Sequence, residues 1–201
     1  MIASPNILTP QGEQPVRIEF GAPRDDAAVR AWRAGSEHRL PHAAADAVEF
    51  AKLAGKRWRY YLKRDEAATS LRELQDKLKR QPQGEIGFLL VARPTWKPAP
   101  SALGVAWCRR TWCNHIVLDF LAAHPLTLDP ANGYKGTGVA LLRTLAIVAQ
   151  RIGCPLVWGE ATAVSAPFYE KVLGGQKIQD HFFIRQKMID SLQRKLTASQ
   201  P

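Results

Sequence analysis

Lys135-Gly136-Thr137-Gly138 stands directly before Val139, Leu142, Leu145, Ala146 and Ala149, apolar residues that recur at helical spacing. Glycine weakens a helix through backbone entropy, so two of them at a helix start point to a main chain that has to stay bare. The first N–H groups of a helix lack intrahelical partners and sit at the positive end of its dipole, which makes them an anion site. Lys135 adds a formal charge beside them. The chemistry such a turn suits is the binding of a phosphate or pyrophosphate; a plain turn without a ligand is the alternative that local spacing leaves open. Two familiar phosphate loops do not fit. A P-loop needs Lys-Ser/Thr after its last glycine, where Val139 stands, and the dinucleotide fingerprint needs a small residue where Leu141 stands.

Two carboxylates could move protons. Asp119 interrupts the apolar run "IVLDFL", and a carboxylate taken out of water on a strand becomes a stronger base. The period of two puts it on one face with Val117 and Leu121; a satisfied structural carboxylate is the alternative. Glu160, at the end of "LVWGE", is the second candidate, and His124 reads as a turn residue. Trp107, Trp112 and Trp158 fall on predicted strands, where core packing is the favoured role and pocket lining the other.

The net charge of +10 asks for a negatively charged partner: a phosphorylated cofactor, an acidic protein or a nucleic acid. Residues 52–64 interleave Lys56, Arg57, Arg59, Lys63 and Arg64 with Trp58, Tyr60 and Tyr61, a pattern that can bind phosphate and stack bases. A solvated helix face with its aromatics in the core is the favoured reading of the same residues. A second basic stretch runs from Arg185 to Lys195.

The elements that must position these groups follow from periodicity and breakers. A chain of 201 residues with 46% hydrophobic and 23% charged residues suits one domain with a sizeable core. Residues 1–15, with Pro5, Pro10 and Pro15, read as a mobile leader, residues 16–188 as the domain and 189–201 as a tail. The strand "VRIEFG" is followed from Asp25 to about Arg80 by three helices, with breaks near Pro41, Gly55 and Pro82. Strands "EIGFLLVARP", "ALGVAWCRRT" and "NHIVLDFLAAHP" come next, then the glycine-led helix, strand "CPLVWGEAT", helix "SAPFYEKVLGG" and strand "QKIQDHFFIRQ". This order implies a mixed α/β sheet rather than a repeating parallel wrap. No apolar run is long enough to cross a bilayer and the first residues lack signal-peptide features, so a cytoplasmic protein with no membrane partner is expected. Cys108, Cys113 and Cys154 read as reduced core thiols, with no spacing that suggests a metal site.

Taken together, these segments resemble the GNAT family of acyl-CoA N-acyltransferases. Lys135-Gly136-Thr137-Gly138-Val139-Ala140 stands in the frame of the family's Arg/Gln-x-x-Gly-x-Gly/Ala signature, with Lys in first place. "LAAHP" at 121–125 is similar to the strand end before that loop, and "APFYEKVLGG" at 166–175 to the closing element. The likeness covers residues 84–187 and implies a mostly antiparallel sheet with splayed central strands flanked by helices. It also implies acetyl-CoA as co-substrate without a metal, its pyrophosphate on the amides of Gly136, Thr137, Gly138, Val139 and Ala140. The pantetheine arm would lie along Leu121, Ala122 and Ala123, where strand 116–122 splays from strand 155–161. Tyr169 matches the family tyrosine that protonates the thiolate, a tyrosine that only packs on the cofactor being the alternative, and Phe168 beside it is expected to contact the cofactor. Asp119 or Glu160 would be the base, and the N–H of Leu121 or Ala123 the oxyanion donor. The chain departs from the pattern in nine residues, Leu126–Tyr134, after His-Pro, a loop expected to wall the substrate, and in Ser165 where an Asn often touches the cofactor arm. The expected acceptor is a primary amine, on a small molecule or a macromolecule such as aminoacyl-tRNA. An inactive acyl-CoA-binding module and a homodimer both stay open.

Overall fold

The computed structural model describes residues 1–36 and 38–197. Its elements run β1 (Asn6–Thr9), β2 (Gly12–Phe20), α1 (Asp25–Arg30), α2 (Pro41–Lys63), β3 (Ala67–Ala68), α3 (Leu71–Arg80), β4 (Ile86–Pro94), β5 (Gly104–Arg110) and β6 (His115–Ala123). They continue with α4 (Pro125–Leu128), α5 (Thr137–Arg151), β7 (Leu156–Glu160), α6 (Ala166–Val172), β8 (His181–Arg185) and α7 (Gln186–Thr197). The strands form one sheet in the order β1-β2-β4-β5-β6-β7-β8, with the short β3 alongside β4. Pairing is antiparallel except between β6 and β7 and between β3 and β4. This is the mixed α/β sheet that the element order implies, with the mostly antiparallel pairing that the resemblance implies.

Helices cover both faces. Leu89, Val91, Val105, Trp107 and Ala122 pack with Ala51, Ala54 and Trp58 of α2. The alternate residues Phe88, Leu90, Ala106, Cys108 and Leu118 pack with Leu141, Leu145 and Val148 of α5. Period-two strands buried on both sides read as the near-continuous apolar runs seen in β4 and β5. Helix α5 is apolar almost all round because α7 covers its outer side, with Ile189 and Leu192 buried. Arg185 thus ends β8 and the basic stretch after it belongs to α7, while the expected tail from 189 is packed structure through Leu192.

The leader expected over residues 1–15 is corrected in the same way. β1 pairs with β2, Ala3 and Ile7 are buried, and Leu8 exchanges backbone hydrogen bonds with Lys135 at 3.0 and 3.1 Å. The expected break at Gly55 is absent, because α2 passes through it. A Cβ there would sit 3.0 Å from Val29 and Arg30, so the glycine is where α1 packs closest onto α2.

The sheet opens at one place. β6 and β7 pair only at His115–Leu156, Ile116–Val157 and Val117–Trp158. β6 then carries a bulge: Cys108 faces Leu118 but Trp107 faces Phe120, leaving Asp119 as the extra residue. An extra residue bends and twists a strand away from its neighbour. Gly159 completes the departure, since a Cβ on it would lie 2.5 Å from the Leu118 carbonyl oxygen and 2.8 Å from the Phe182 ring. Gly159→Ala is expected to destabilise the protein by about 1–3 kcal/mol through this overpacking, read as a lower urea midpoint with unchanged slope; an unaltered midpoint would show that the strands part without the glycine.

Candidate active site

The splay leads into a cavity of ≈ 630 Å³. Its walls are α2 (Ala43, Asp46, Ala47, Phe50), the open end of β6 (Leu121, Ala122, Ala123), the helix start Lys135–Val139 with Arg143, and α6 with its approach (Thr162, Ser165, Phe168, Tyr169, Lys171). The loop after Pro125 contributes Thr127, Leu128 and Tyr134, as a substrate wall would. That loop is tied to the segment before α2, His38 Nε2 lying 2.9 Å from the Pro125 carbonyl and the Arg39 amide donating to Asp129.

The turn is built by β1. With Lys135 clamped to Leu8, Gly136 takes φ 108°, a conformation that disfavours side chains, and caps α5 without any side-chain hydrogen bond. The N–H groups of Thr137, Gly138 and Val139 then face the first turn with no helical partner. Ala140 does not share this role: its amide donates to the Gly136 carbonyl at 2.8 Å, and it is buried off the cavity. Gly138 has a second reason to be bare, since a Cβ there would meet the Phe168 ring at 3.0 Å. Thr137 Oγ1 and Arg143 Nε, both on cavity-lining residues, are buried without a hydrogen-bond partner. Two orphaned polar groups beside bare amides and Lys135 fit an anionic ligand that supplies their missing contacts.

The opposite wall is a strand edge. β6 pairs with β5 on one side, and the His124 amide donates to the Leu103 carbonyl at 2.8 Å. Alternation along the strand then turns the N–H and C=O of Ala123 and Leu121 to the side that β7 has left. An extended ligand can pair there as an added strand does.

Tyr169 is buried, lines the cavity and stacks on Phe182 with ring centroids 4.0 Å apart. Burial, and secondarily the nearby Cys108, push its hydroxyl well above the ordinary tyrosine range, so it is neutral at neutral pH. Ser165 lines the cavity while its hydroxyl accepts from the Thr162 amide at 2.9 Å.

The two carboxylates singled out in the sequence do not line this cavity. Asp119 accepts a forked pair from Arg109 at 2.6 and 2.8 Å, and Arg109 also pairs with Glu85 at 2.9 Å. These bonds hold the Arg109 guanidinium above its usual range. The bulge also breaks the expected face: Leu121 packs on the α5 side, whereas Asp119 meets Arg109 on the side of Trp107 and α2. Glu160 is an exposed strand end near His181. The carboxylate that does line the cavity is Asp46 of α2. Its only sequence signal was the i, i+3, i+4, i+7 stripe that it forms with Ala43, Ala47 and Phe50.

Other readings divide. Trp107 is core, Trp112 is 74% exposed at the β5–β6 turn rather than on a strand, and Trp158 is half-buried on β7. Cys108 and Cys154 are buried, but Cys113 is exposed. In residues 52–64, Trp58 and Tyr61 enter the core while Lys56, Arg57 and Lys63 face solvent, the arrangement of a solvated helix face. Among the described residues no group of three or more His, Cys, Asp or Glu side chains could hold a metal, and no helix is long and apolar enough to cross a membrane.

The fold class that emerges is GNAT-like: a mixed, mostly antiparallel sheet, splayed where a bare helix start faces the open strand edge. No protein-family model matches the sequence, and no curated protein matches it. Among solved structures the chain is similar to nourseothricin acetyltransferase, at 14% identity over 48% of this chain and 62% of that one, with a TM-score of 0.37. It is also similar to a GNAT-family acetyltransferase from Staphylococcus aureus Mu50 (10% identity, 85% and 99% covered, TM-score 0.46). A third is the PaiA N-acetyltransferase of Thermoplasma acidophilum in complex with coenzyme A (12% identity, 84% and 96% covered, TM-score 0.46). The chain thus spans less than two thirds of nourseothricin acetyltransferase's own length. The chemistry of the site rests on its own residues.

Tyr61, buried against Glu85, is pushed up to about 12, and Tyr169 is raised further. Both values lie above the unfolded value of about 10. Their contribution to stability is therefore complete below that pH and lost as pH rises through the folded values. Absorbance titration at the phenolate band should show two of the four tyrosines ionising late, with one late step missing in Tyr169→Phe. Four tyrosines ionising together near the ordinary value would contradict the buried environment.

Proposed function

We propose that the protein is an acetyl-CoA-dependent N-acetyltransferase that passes the acetyl group directly to a primary amine. The observation that carries this reading is one cavity lined by a bare-amide helix start, an unpaired strand edge and a buried tyrosine. Acetyl-CoA, when bound, supplies an activated thioester carbonyl. The amides of Thr137, Gly138 and Val139 hold its diphosphate with Lys135, and the unpartnered Thr137 Oγ1 and Arg143 Nε of two lining residues support an anion there. The edge of Leu121 and Ala123 aligns the pantetheine arm, with Phe168 and Ser165 on the facing wall. An N–H of that edge is the donor that stabilises the oxyanion as the amine adds to the carbonyl. Tyr169 gives its proton to the sulfur as the C–S bond breaks, and the proton shed by the amine nitrogen returns through cavity water to the phenolate, so that amide, free thiol and neutral tyrosine result.

One observation favours a second reading, a module that binds acyl-CoA without turnover: Asp119 and Glu160, the carboxylates on the strands, lie off the cavity. Release of free thiol from acetyl-CoA in the presence of a panel of amines separates the two. Thiol release dependent on an amine supports the transferase, and binding without release supports the module. Within the transferase reading, Tyr169→Phe should lower kcat by about a hundredfold or more with acetyl-CoA affinity unchanged in calorimetry; undiminished turnover would remove the tyrosine from the mechanism.

A further inference from the structure

The cavity joins two faces of the sheet that differ in charge. Helix α5 lies on one face and α2 on the other, and both line the same space, so it passes through the gap between β6 and β7. Lys135, Arg143 and Lys171 all line it from the side of α5 and α6, together with the bare amides. The α2 side brings Asp46, the one carboxylate among the described lining residues. Asp46 is half-buried, and among the described residues it has no hydrogen bond or ion pair. Other half-buried or buried carboxylates of the chain are satisfied: Asp25 and Glu19 by Arg93, Asp26 by Arg30, Asp119 by Arg109.

A partly buried carboxylate that lines a cavity without a partner is a place where a bound cation can pair. In a protein of net charge +10, such a spot is also a local well in a field that otherwise repels cations. Phe50, one turn along the same helix face and 5.9 Å from the ring of Phe120, gives the spot an apolar wall.

We propose that Asp46 is the specificity residue for the acceptor: it pairs with the ammonium form of the amine as the acceptor docks on the α2 face of the splay, the ammonium then gives its proton to cavity water so that the free amine attacks, and the diphosphate is held on the α5 face. The acceptor therefore enters from the side opposite the cofactor. It is a cationic amine with an apolar body, and an α-amino acid is disfavoured because its own carboxylate would face Asp46. This inference rests on the acetyltransferase reading above.

The test compares Asp46→Asn, Asp46→Glu and the unaltered protein with phenethylamine, butylamine and spermidine as acceptors, and with phenylalanine beside phenethylamine. Asp46→Asn should raise KM for the best amine at least tenfold, leave kcat within a few-fold and leave acetyl-CoA affinity in calorimetry within twofold. Asp46→Glu should restore part of the loss, and phenethylamine should be preferred to phenylalanine by at least tenfold in kcat/KM. An unchanged KM in Asp46→Asn, or equal use of phenylalanine, overturns the assignment of Asp46 and leaves the transferase reading standing. Acetyl-CoA binding with no acetylation of any amine by the unaltered protein overturns the transferase reading and this inference with it.

Discussion

Three residue pairs hold β6 to β7, and beyond Val117 and Trp158 the strands go separate ways. The physical cause is local on both sides. The extra residue at Asp119 turns β6, and the missing side chain at Gly159 lets β7 pass over the Leu118 carbonyl. A sheet interior ordinarily satisfies every backbone group along its length. Here one strand edge is left with unpaired groups inside the molecule, where only a ligand or water can meet them. The cavity, its access from two faces and the exposure of the α5 helix start to it all follow from that departure.

The bulge is held by charge. Arg109 binds Asp119 by a fork and Glu85 by a third bond, and Glu85 in turn accepts from the Tyr61 hydroxyl, which stands against Trp107. A guanidinium can satisfy a carboxylate with two parallel bonds, so the residue that would otherwise be an unpaired break in an apolar strand becomes a fixed corner. Removing one partner of such a pair leaves the other uncompensated. A carboxylate in this position shapes the site from behind.

On the other wall the anion turn depends on a distant piece of chain. Lys135 is paired with Leu8, so β1 sets the direction from which the backbone enters Gly136, and the left-handed conformation of that glycine follows from the clamp. Phe168 lies over Gly138 and carries Tyr169 beside it, the two rings 5.1 Å apart. The helix start, the tyrosine and the strand edge are thus positioned by three separate parts of the chain.

Periodicity and glycine placement by themselves determined many of the elements: the strands from β4 to β8, the bare start of α5, the helix at α6 and the order that makes the sheet mixed. Those features are local, because propensity, capping and apolar spacing act within a few residues. What the tertiary structure alone decided lies in contacts far apart in sequence. A three-proline leader became an edge strand because Ile7 found a core and Leu8 a partner, and Gly55 failed to break α2 because α1 needed the space. Asp119 left the cavity because a bulge, invisible to a period of two, changed its face and gave it Arg109. Asp46 entered the cavity only because α2 packs across the splay, and which side chains share a space is fixed by how elements meet rather than by the residues within any one of them.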